Sequence, residues 1–529
     1  MKTKHNTVKV VLVTLAVFVL LTWILPAAYF QNSYVEQGRV QMGIADLFSY
    51  PTTALSYFGY IALYILVVGG FYGILSKIGA YRTLLDKLSS AFKKHGKVAV
   101  SIIMVLLAVI TSICGLQLGL IMFFPFLISL ILLMGYDKIV AALTVVGSTM
   151  IGVAGTTFAY SNTSIIISVL SLKITSNMLV KVIILVLGLA LLIFNTVRYI
   201  SKIEKEEKAL AKKKLADEKK AKKEEEKKAT KSTTKKTTKD TKTTKTTAKK
   251  STKTTVAAEK KEEVKVVKAV KAEGKYDEFI PKAVRGKHNV WPLVVILSLV
   301  FIVMILAFLS WSNAFSNTAF ESATKSVTEF KIFGFALFGK LLGNINAFGS
   351  WTLADLMGLM IVAAGLLMII YKVKFSEGLE AFAVGAKKAL EPAVLVILIY
   401  TGLVIVTYHP FQLVIYKFLF GFTKGFNVIT STIAAMLSSV FNAEPLYAFQ
   451  SVLPYLASLV SKKSTLAIVG VVYQSIYGIT MLIAPTSVVL MTVLSYLGVS
   501  YKEWLKNIWK LFLELLAVLI IIFLILVLI

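Results

Sequence analysis

The sequence predicts an all-α, polytopic membrane protein with two membrane halves, helix hairpins and broken helices, and a basic insert between the halves. Three observations predict it. Of the 529 residues, 57% are hydrophobic and the mean hydropathy is +0.76, above the ~45–50% apolar content of soluble domains. That excess is surface for lipid rather than one very large core. Apolar runs repeatedly reach the ~20 residues that a helix needs to cross the hydrocarbon. These runs are continuous, whereas a membrane β-barrel needs ~10-residue strands of alternating polarity.

The first run, 8–30, follows the basic start MKTKHNTVK. It is too long for the apolar core of a signal peptide and has no clear cleavage site, so it reads as a retained first span. Further spans are expected at 53–76, 98–115, 118–135, 140–170 (broken) and 177–199. After the insert come 290–311, 353–372, 389–408, 411–420 with 426–440, 446–460, 465–497 (broken) and 508–529. The organisation is therefore 1–200, a first membrane half; 201–289, a Lys-rich insert; and 290–529, a second membrane half.

The insert concentrates the charge. Residues 201–290 hold 30 Lys/Arg and 15 Asp/Glu, half of the net charge of +30 on one sixth of the chain. Residues 202–229 are rich in Ala, Glu, Lys and Leu and can carry a membrane helix into water as a solvated charged helix. Residues 230–255 are almost entirely Lys, Thr and Ser, bury nothing, and are expected to be disordered. No aromatic residue occurs in 201–275 for base stacking, which argues against a specific nucleic-acid partner. Attraction to anionic lipid is one role for 201–289; a solvated linker in a lysine-biased chain, with 54 Lys to 4 Arg, is the other.

Lysine placement sets the expected orientation. The N-terminus, the loop 77–97 and the insert are basic and should face the cytoplasm of a cell with the chain in its inner or plasma membrane. Residues 31–52 and 310–350 should face outside. The basic stretch 501–510 should lie inside, leaving the C-terminus outside.

Enzymatic chemistry finds no support. The chain lacks GxSxG, HExxH and GxxxxGK[ST] motifs, has a single cysteine, Cys114, in an apolar segment, and scatters its four histidines at 5, 95, 288 and 409. Neither a metal centre nor a cofactor is expected, and no bound nucleotide can drive the protein directly. His409-Pro410 reads first as a turn and only second as a proton relay.

Two polar islands interrupt the broken spans. Residues 152–164, GVAGTTFAYSNTS, carry a hydroxyl or amide on seven of thirteen side chains. Residues 474–487, QSIYGITMLIAPTS, contain Pro485, which frees a helical carbonyl, and Gly478, which permits close approach. Backbone unwinds at membrane depth only inside protein or against a cavity, so matched breaks in two halves point to a transport site. Freed carbonyls and hydroxyls can coordinate a cation or hold a polar solute, and half-helix N-termini favour a carboxylate. The competing account is that small and hydroxyl residues serve helix packing in lipid. Two further segments read as hairpins, 111–119 leading to Pro125 and 438–445 leading to Gln450 and Pro454. Glu444 is the only carboxylate between Glu391 and Glu503; it reads equally as an intramembrane functional group or as part of a wet Asn-Ala-Glu-Pro turn.

The stretch Tyr473–Met491, with its continuation Gly498–Lys506, resembles the YfcC-type transporters of the ion transporter superfamily, relatives of the four-carbon dicarboxylate and aminobenzoyl-glutamate carriers. The resemblance rests on Gln474, Gly478, Thr480, Pro485, Thr486, Ser487, Leu490, Met491, Tyr501 and Trp504, and extends to 21–27, 67–71, 135–137 and the first island, where Thr156 and Thr157 stand at the family's Ser-Thr. It covers both membrane halves and leaves 201–280 as extra. It implies two inverted repeats, each with a re-entrant hairpin and a broken helix, whose four tips enclose a midplane site for amino acids, peptides or other carboxylates. Ala159, Tyr477, Met481, Leu118 and Gly119 stand where the family carries oxygen ligands, so Na+ or H+ coupling does not carry over with the scaffold. Members are often dimeric, which makes a homodimer an expectation of the resemblance alone.

The expected function is secondary transport of a small organic solute. The candidate contacts are Thr156, Thr157, Ser161, Asn162, Thr163, Gln474, Gly478, Thr480, Pro485, Thr486 and Ser487, with Gln117, Asn442 and Glu444 at hairpin tips. The rival reading is a non-transporting membrane scaffold whose basic insert recruits a partner. A channel is less consistent, because the islands lack charged rings.

Overall fold

The computed structural model describes residues 6–232, 276–284, 286–343, 345–423 and 425–529. The chain forms two units, one comprising Met1–Ile193 with Asp277–Ile529, the other Phe194–Tyr276. Among the described residues eight helical segments are long and apolar enough to cross a membrane.

In the first half, α1 (Asn6–Ile24) leads into a short antiparallel hairpin, β1 (Ala28–Gln31) and β2 (Ser33–Glu36). Then follow α2 (Asp46–Lys77), α3 (Gly79–Phe92) and α4 (Gly96–Cys114). A turn at 115–118 and a 3-10 turn, Gly119–Phe123, lead to α5 (Phe124–Leu133). The next helix runs from α6 (Lys138–Ala142) through a π-helical turn, Leu143–Gly147, into α7 (Ser148–Ala154), breaks, and resumes as α8 (Tyr160–Val169). Last comes α9 (Met178–Ser232), which carries the charged stretch 202–229 as helix. Residues 233–275, which include most of the tract expected to be disordered, lie outside the described residues.

The second half contains α10 (Trp291–Phe308), three short helices within 311–342, α11 (Leu353–Ile370), α12 (Phe375–Lys388) and α13 (Leu390–Tyr408). It continues with α14 (Gln412–Thr423), α15 (Val428–Phe441), α16 (Pro445–Gln450) and α17 (Leu453–Ser458). After them α18 (Lys463–Thr480) breaks at 481–487, α19 (Val488–Leu497) resumes it, and α20 (Tyr501–Leu528) closes the chain.

Three segments depart from the sequence reading. The span expected at 446–460 is instead two six-residue helices, α16 and α17, each too short to cross a membrane. The stretch 77–97, expected as a loop, contains helix α3, with Tyr81, Leu84 and Leu85 buried. Residues 375–388, assigned to no span, form α12. Both helices are amphipathic and too short and charged to register as spans, yet each has an apolar face that the bundle covers. The α2–α12 contact is close enough to need glycine: a Cβ at Gly385 would stand 2.2 Å from Gly69 O, and one at Gly73 would stand 2.1 Å from Ala381 O. Small residues let backbones meet in this way where lipid offers no hydrophobic drive to associate.

Residues 278–281, near the end of the insert, dock on one end of the first unit. Phe279 O accepts from Ser129 Oγ at 2.7 Å, and Pro281 O accepts from Arg82 Nη1 at 2.9 Å. Lys138 Nζ pairs with Glu278 at 3.2 Å, donates to Leu497 O at 2.6 Å and sits 4.6 Å over the Phe279 ring. The basic segment around α3 and the start of α20 therefore share an end of the bundle. At His409, between α13 and α14, the ring bridges Tyr50 OH, 2.8 Å from Nε2, and Val40 O, 2.6 Å from Nδ1. A carbonyl only accepts, so Nδ1 carries a proton and donates to Val40 O.

Candidate solute-binding site

Both expected breaks are present, and the structure links them to both hairpins. The first break follows α7. Its Gly155 carbonyl, left without a helical partner, accepts from Ser112 Oγ on α4 at 2.6 Å. Thr157 N donates to Ser112 O at 2.9 Å, and the hydroxyls of Ser112 and Thr157 lie 3.1 Å apart. The first hairpin thus clasps the first break. Its turn contains Gly115 at φ +73°, where a Cβ would also stand 2.2 Å from Ser161 Oγ. Beyond the turn, Tyr64 of α2 donates to Gly119 O at 2.7 Å and Tyr72 to Met122 O at 2.8 Å.

The second break is built in the same manner from different residues. Its freed carbonyls go to α20: Trp504 Nε1 donates to Leu482 O at 2.8 Å, and Tyr501 OH donates to Ile483 O. Thr486 Oγ1 donates to Val440 O at 2.8 Å, and Tyr477 OH to Ala443 O at 3.0 Å, so the second break holds the tip of the second hairpin. Ser487 caps α19 through Leu490 N.

The two broken helices meet each other directly. A Cβ at Gly478 would stand 2.3 Å from Ala154 N. Ser475 Oγ donates to Ala154 O at 2.9 Å, and Gln474 Nε2 donates to Val153 O at 2.9 Å and to Thr156 Oγ1 at 3.3 Å. Because Val153 O only accepts, the Gln474 amide is fixed with Oε1 pointing elsewhere. That oxygen is buried and has no partner among the described residues, and the same is true of Asn162 Nδ2 and Thr480 Oγ1. A buried polar group without a partner costs about 1–3 kcal/mol; these three lie on the two broken helices, and other unpaired atoms, among them Thr432 Oγ1 and Tyr473 OH, lie outside the breaks.

The candidate residues divide by what their polar atoms already do. Gln474, Thr480 and Asn162 keep unpaired groups. Thr156 Oγ1 donates to Val153 O at 2.7 Å and Thr163 Oγ1 to Ala159 O at 3.1 Å. Thr157, Thr486 and Ser487 hold breaks and caps, Gly478 provides close approach, and Pro485 interrupts the helix within the second break. Ser161 is exposed. Gln117 sits half-buried in the first hairpin turn. Asn442 anchors the second tip, donating to Gln412 Oε1 and Ser438 O, both at 2.8 Å. Glu444 is half-buried at that tip and accepts from Tyr400 OH of α13.

Sequence reasoning left Ser112, Ser475 and Tyr400 out of the candidate set. Ser112 lies in the hairpin segment 111–119 and Ser475 in the polar island 474–487, so composition is a signal for both. Tyr400, a lone hydroxyl in an apolar span, shows its role only through Glu444, which is 44 positions away.

Paired helix breaks, hairpin tips against them and a lipid-facing exterior define a multi-pass membrane carrier. The family model of the C4-dicarboxylate anaerobic carriers (DcuC) matches residues 30–528, and the chain belongs to that family. As a member of a carrier family it is a transporter and not an enzyme. Among solved structures, that of the Alcanivorax borkumensis YdaH transporter is similar over 98% of this chain and 98% of its own, with 12% sequence identity and a TM-score of 0.38. No curated protein matches the chain in sequence.

Proposed function

We propose that this protein is a secondary transporter, of the YfcC type within its family, that carries an amino acid, a short peptide or a related carboxylate across the cell membrane. The observation that carries the reading is the crossing of the two broken helices at Gly478 and Ala154, with Gln474 Oε1, Thr480 Oγ1 and Asn162 Nδ2 buried and unpaired around it. The parallel order of hairpin, broken helix and long helix in each half supports an inverted-repeat reading, and with it alternating access by movement of one repeat against the other. Orientation follows lysine placement, with the N-terminus and 201–289 in the cytoplasm.

Three of the carbonyls freed at the breaks, those of Gly155, Leu482 and Ile483, are taken by Ser112, Trp504 and Tyr501. This supports a site of hydroxyls and amides suited to a polar organic solute over a carbonyl ring suited to Na+. The solute in the family's name, a C4-dicarboxylate, is one to test.

The experiment is uptake by proteoliposomes of the full chain, with labelled amino acids, dipeptides and succinate, with and without Na+ and proton gradients. Thr157→Ala together with Thr486→Ala is expected to lower uptake by about sevenfold or more, since losing two break clasps at about 0.6–1.7 kcal/mol each in a membrane interior sums to about 1.2 kcal/mol at the least. Wild-type uptake by the double variant at equal protein level would overturn the site assignment. Deleting 205–275 distinguishes the scaffold reading: a transporter keeps its vesicle flux without the insert, whereas a non-transporting scaffold shows no flux in vesicles with or without the insert and loses its role in cells when the insert is removed.

A further inference from the structure

The four segments that form the hairpin tips and helix breaks, 111–119, 152–164, 438–445 and 474–487, contain one charged residue, Glu444, and no Lys, Arg or His. Their net charge is therefore negative. A dicarboxylate brought to them would meet a like charge with no cation to offset it, and inside a protein such repulsion is screened far less than in water.

The surroundings of Glu444 repeat this polarity. One carboxylate oxygen, Oε1, accepts from Tyr400 OH of α13. The other accepts from no group among the described residues, and no described cation pairs with either. The remaining titratable groups near enough to interact with its charge are Tyr60 of α2, Tyr447 of α16 and Tyr477 of α18. Tyr477 already donates to Ala443 O at the same tip. Phe58 of α2 stacks on the Tyr400 ring, with centroids 4.2 Å apart and planes 13° from parallel, and meets Tyr447 edge-on at 6.3 Å. A carboxylate with one oxygen that accepts from no described group, set among tyrosine hydroxyls and with no described cation beside it, has the chemistry that receives an ammonium group, which donates to the anion. Carboxylates at membrane depth pair or mark a solute path, and among the described residues no cation pairs with Glu444.

We infer that Glu444, with the aromatic residues around it, is the subsite for the amine of the transported solute, so that this carrier selects an ammonium-bearing carboxylate over a C4-dicarboxylate. The inference rests on the transport reading above and names the feature of the solute that the site distinguishes.

The test uses the full chain in proteoliposomes at fixed pH, with labelled alanine, lysine, alanyl-alanine and succinate, and with the N-acetyl derivative of whichever amine is carried. An amine-bearing solute is expected to be taken up, with its N-acetyl derivative at least tenfold poorer. Glu444→Gln is expected to raise KM for the amine at least tenfold with no loss of membrane abundance, and Glu444→Asp to restore part of it. The acetylation comparison requires no variant, so it decides the matter even if Glu444→Gln folds poorly. Equal transport of amine and N-acetyl derivative overturns the subsite, as does an unchanged KM in Glu444→Gln. A Glu444→Gln variant that alters only the pH dependence of transport overturns it in favour of a proton site. Wild-type vesicles that carry succinate and no amine leave transport standing and overturn the amine subsite alone; vesicles that carry no solute overturn both.

Discussion

Gly478→Leu is expected to abolish transport and to lower sharply the yield of folded protein. The Cβ alone would stand 2.3 Å from Ala154 N and 2.5 Å from Ala154 Cα, and these are backbone atoms with no rotamer to yield. The two broken helices would have to part, breaking the reach of Gln474 to Val153 and of Ser475 to Ala154. Overpacking in a close-packed interior ordinarily costs about 1–3 kcal/mol, and the added loss of those hydrogen bonds moves the total above that range. Monodispersity in detergent and a melting curve measure the effect on folding, and vesicle uptake measures the effect on function. A variant that melts and transports like the wild type would show that the helices do not meet at this point.

Gln474→Leu should separate function from stability. Leucine fills a similar volume, and the Val153 carbonyl keeps the Thr156 hydroxyl as a donor at 2.7 Å, so no acceptor there is orphaned. The lost hydrogen bonds are worth about 1 kcal/mol in a membrane protein interior, and removing a buried unpaired Oε1 offsets part of that. Melting temperature should change little. Uptake should fall at least tenfold, because the oxygen that the fold leaves open for a solute is gone. If uptake instead survives while the protein melts early, Gln474 is a brace and the candidate site lies elsewhere.

The contrast between these two variants shows how much of the site is visible from sequence. Gly478 and Gln474 are both prominent in the sequence, standing in a polar run within an apolar span. Their roles are not. Gln474 acts on Val153, 321 positions away, and no periodicity in either segment encodes that meeting. Thr486 and Asn442 look like ligand groups by composition, yet their side chains donate to Val440 O and to Gln412. A hydroxyl or amide in an apolar span must find some partner, and sequence alone does not distinguish a backbone carbonyl from a solute.

The sequence by itself determined that the chain is a helical membrane protein, where its long spans lie, and at which points two of them break, because partition into lipid and helix breaking depend on composition and on Gly and Pro over a few turns. The tertiary structure alone decided the rest. It made helices of 79–92 and 375–388, whose apolar faces are stable only against the bundle. It gave the freed carbonyls of the breaks to Ser112, Tyr501 and Trp504, and it set Glu444 beside Tyr400 with one oxygen open. Those outcomes follow from which polar groups come within about 3 Å of one another, a matter of how distant segments pack, and local residue patterns carry no record of it.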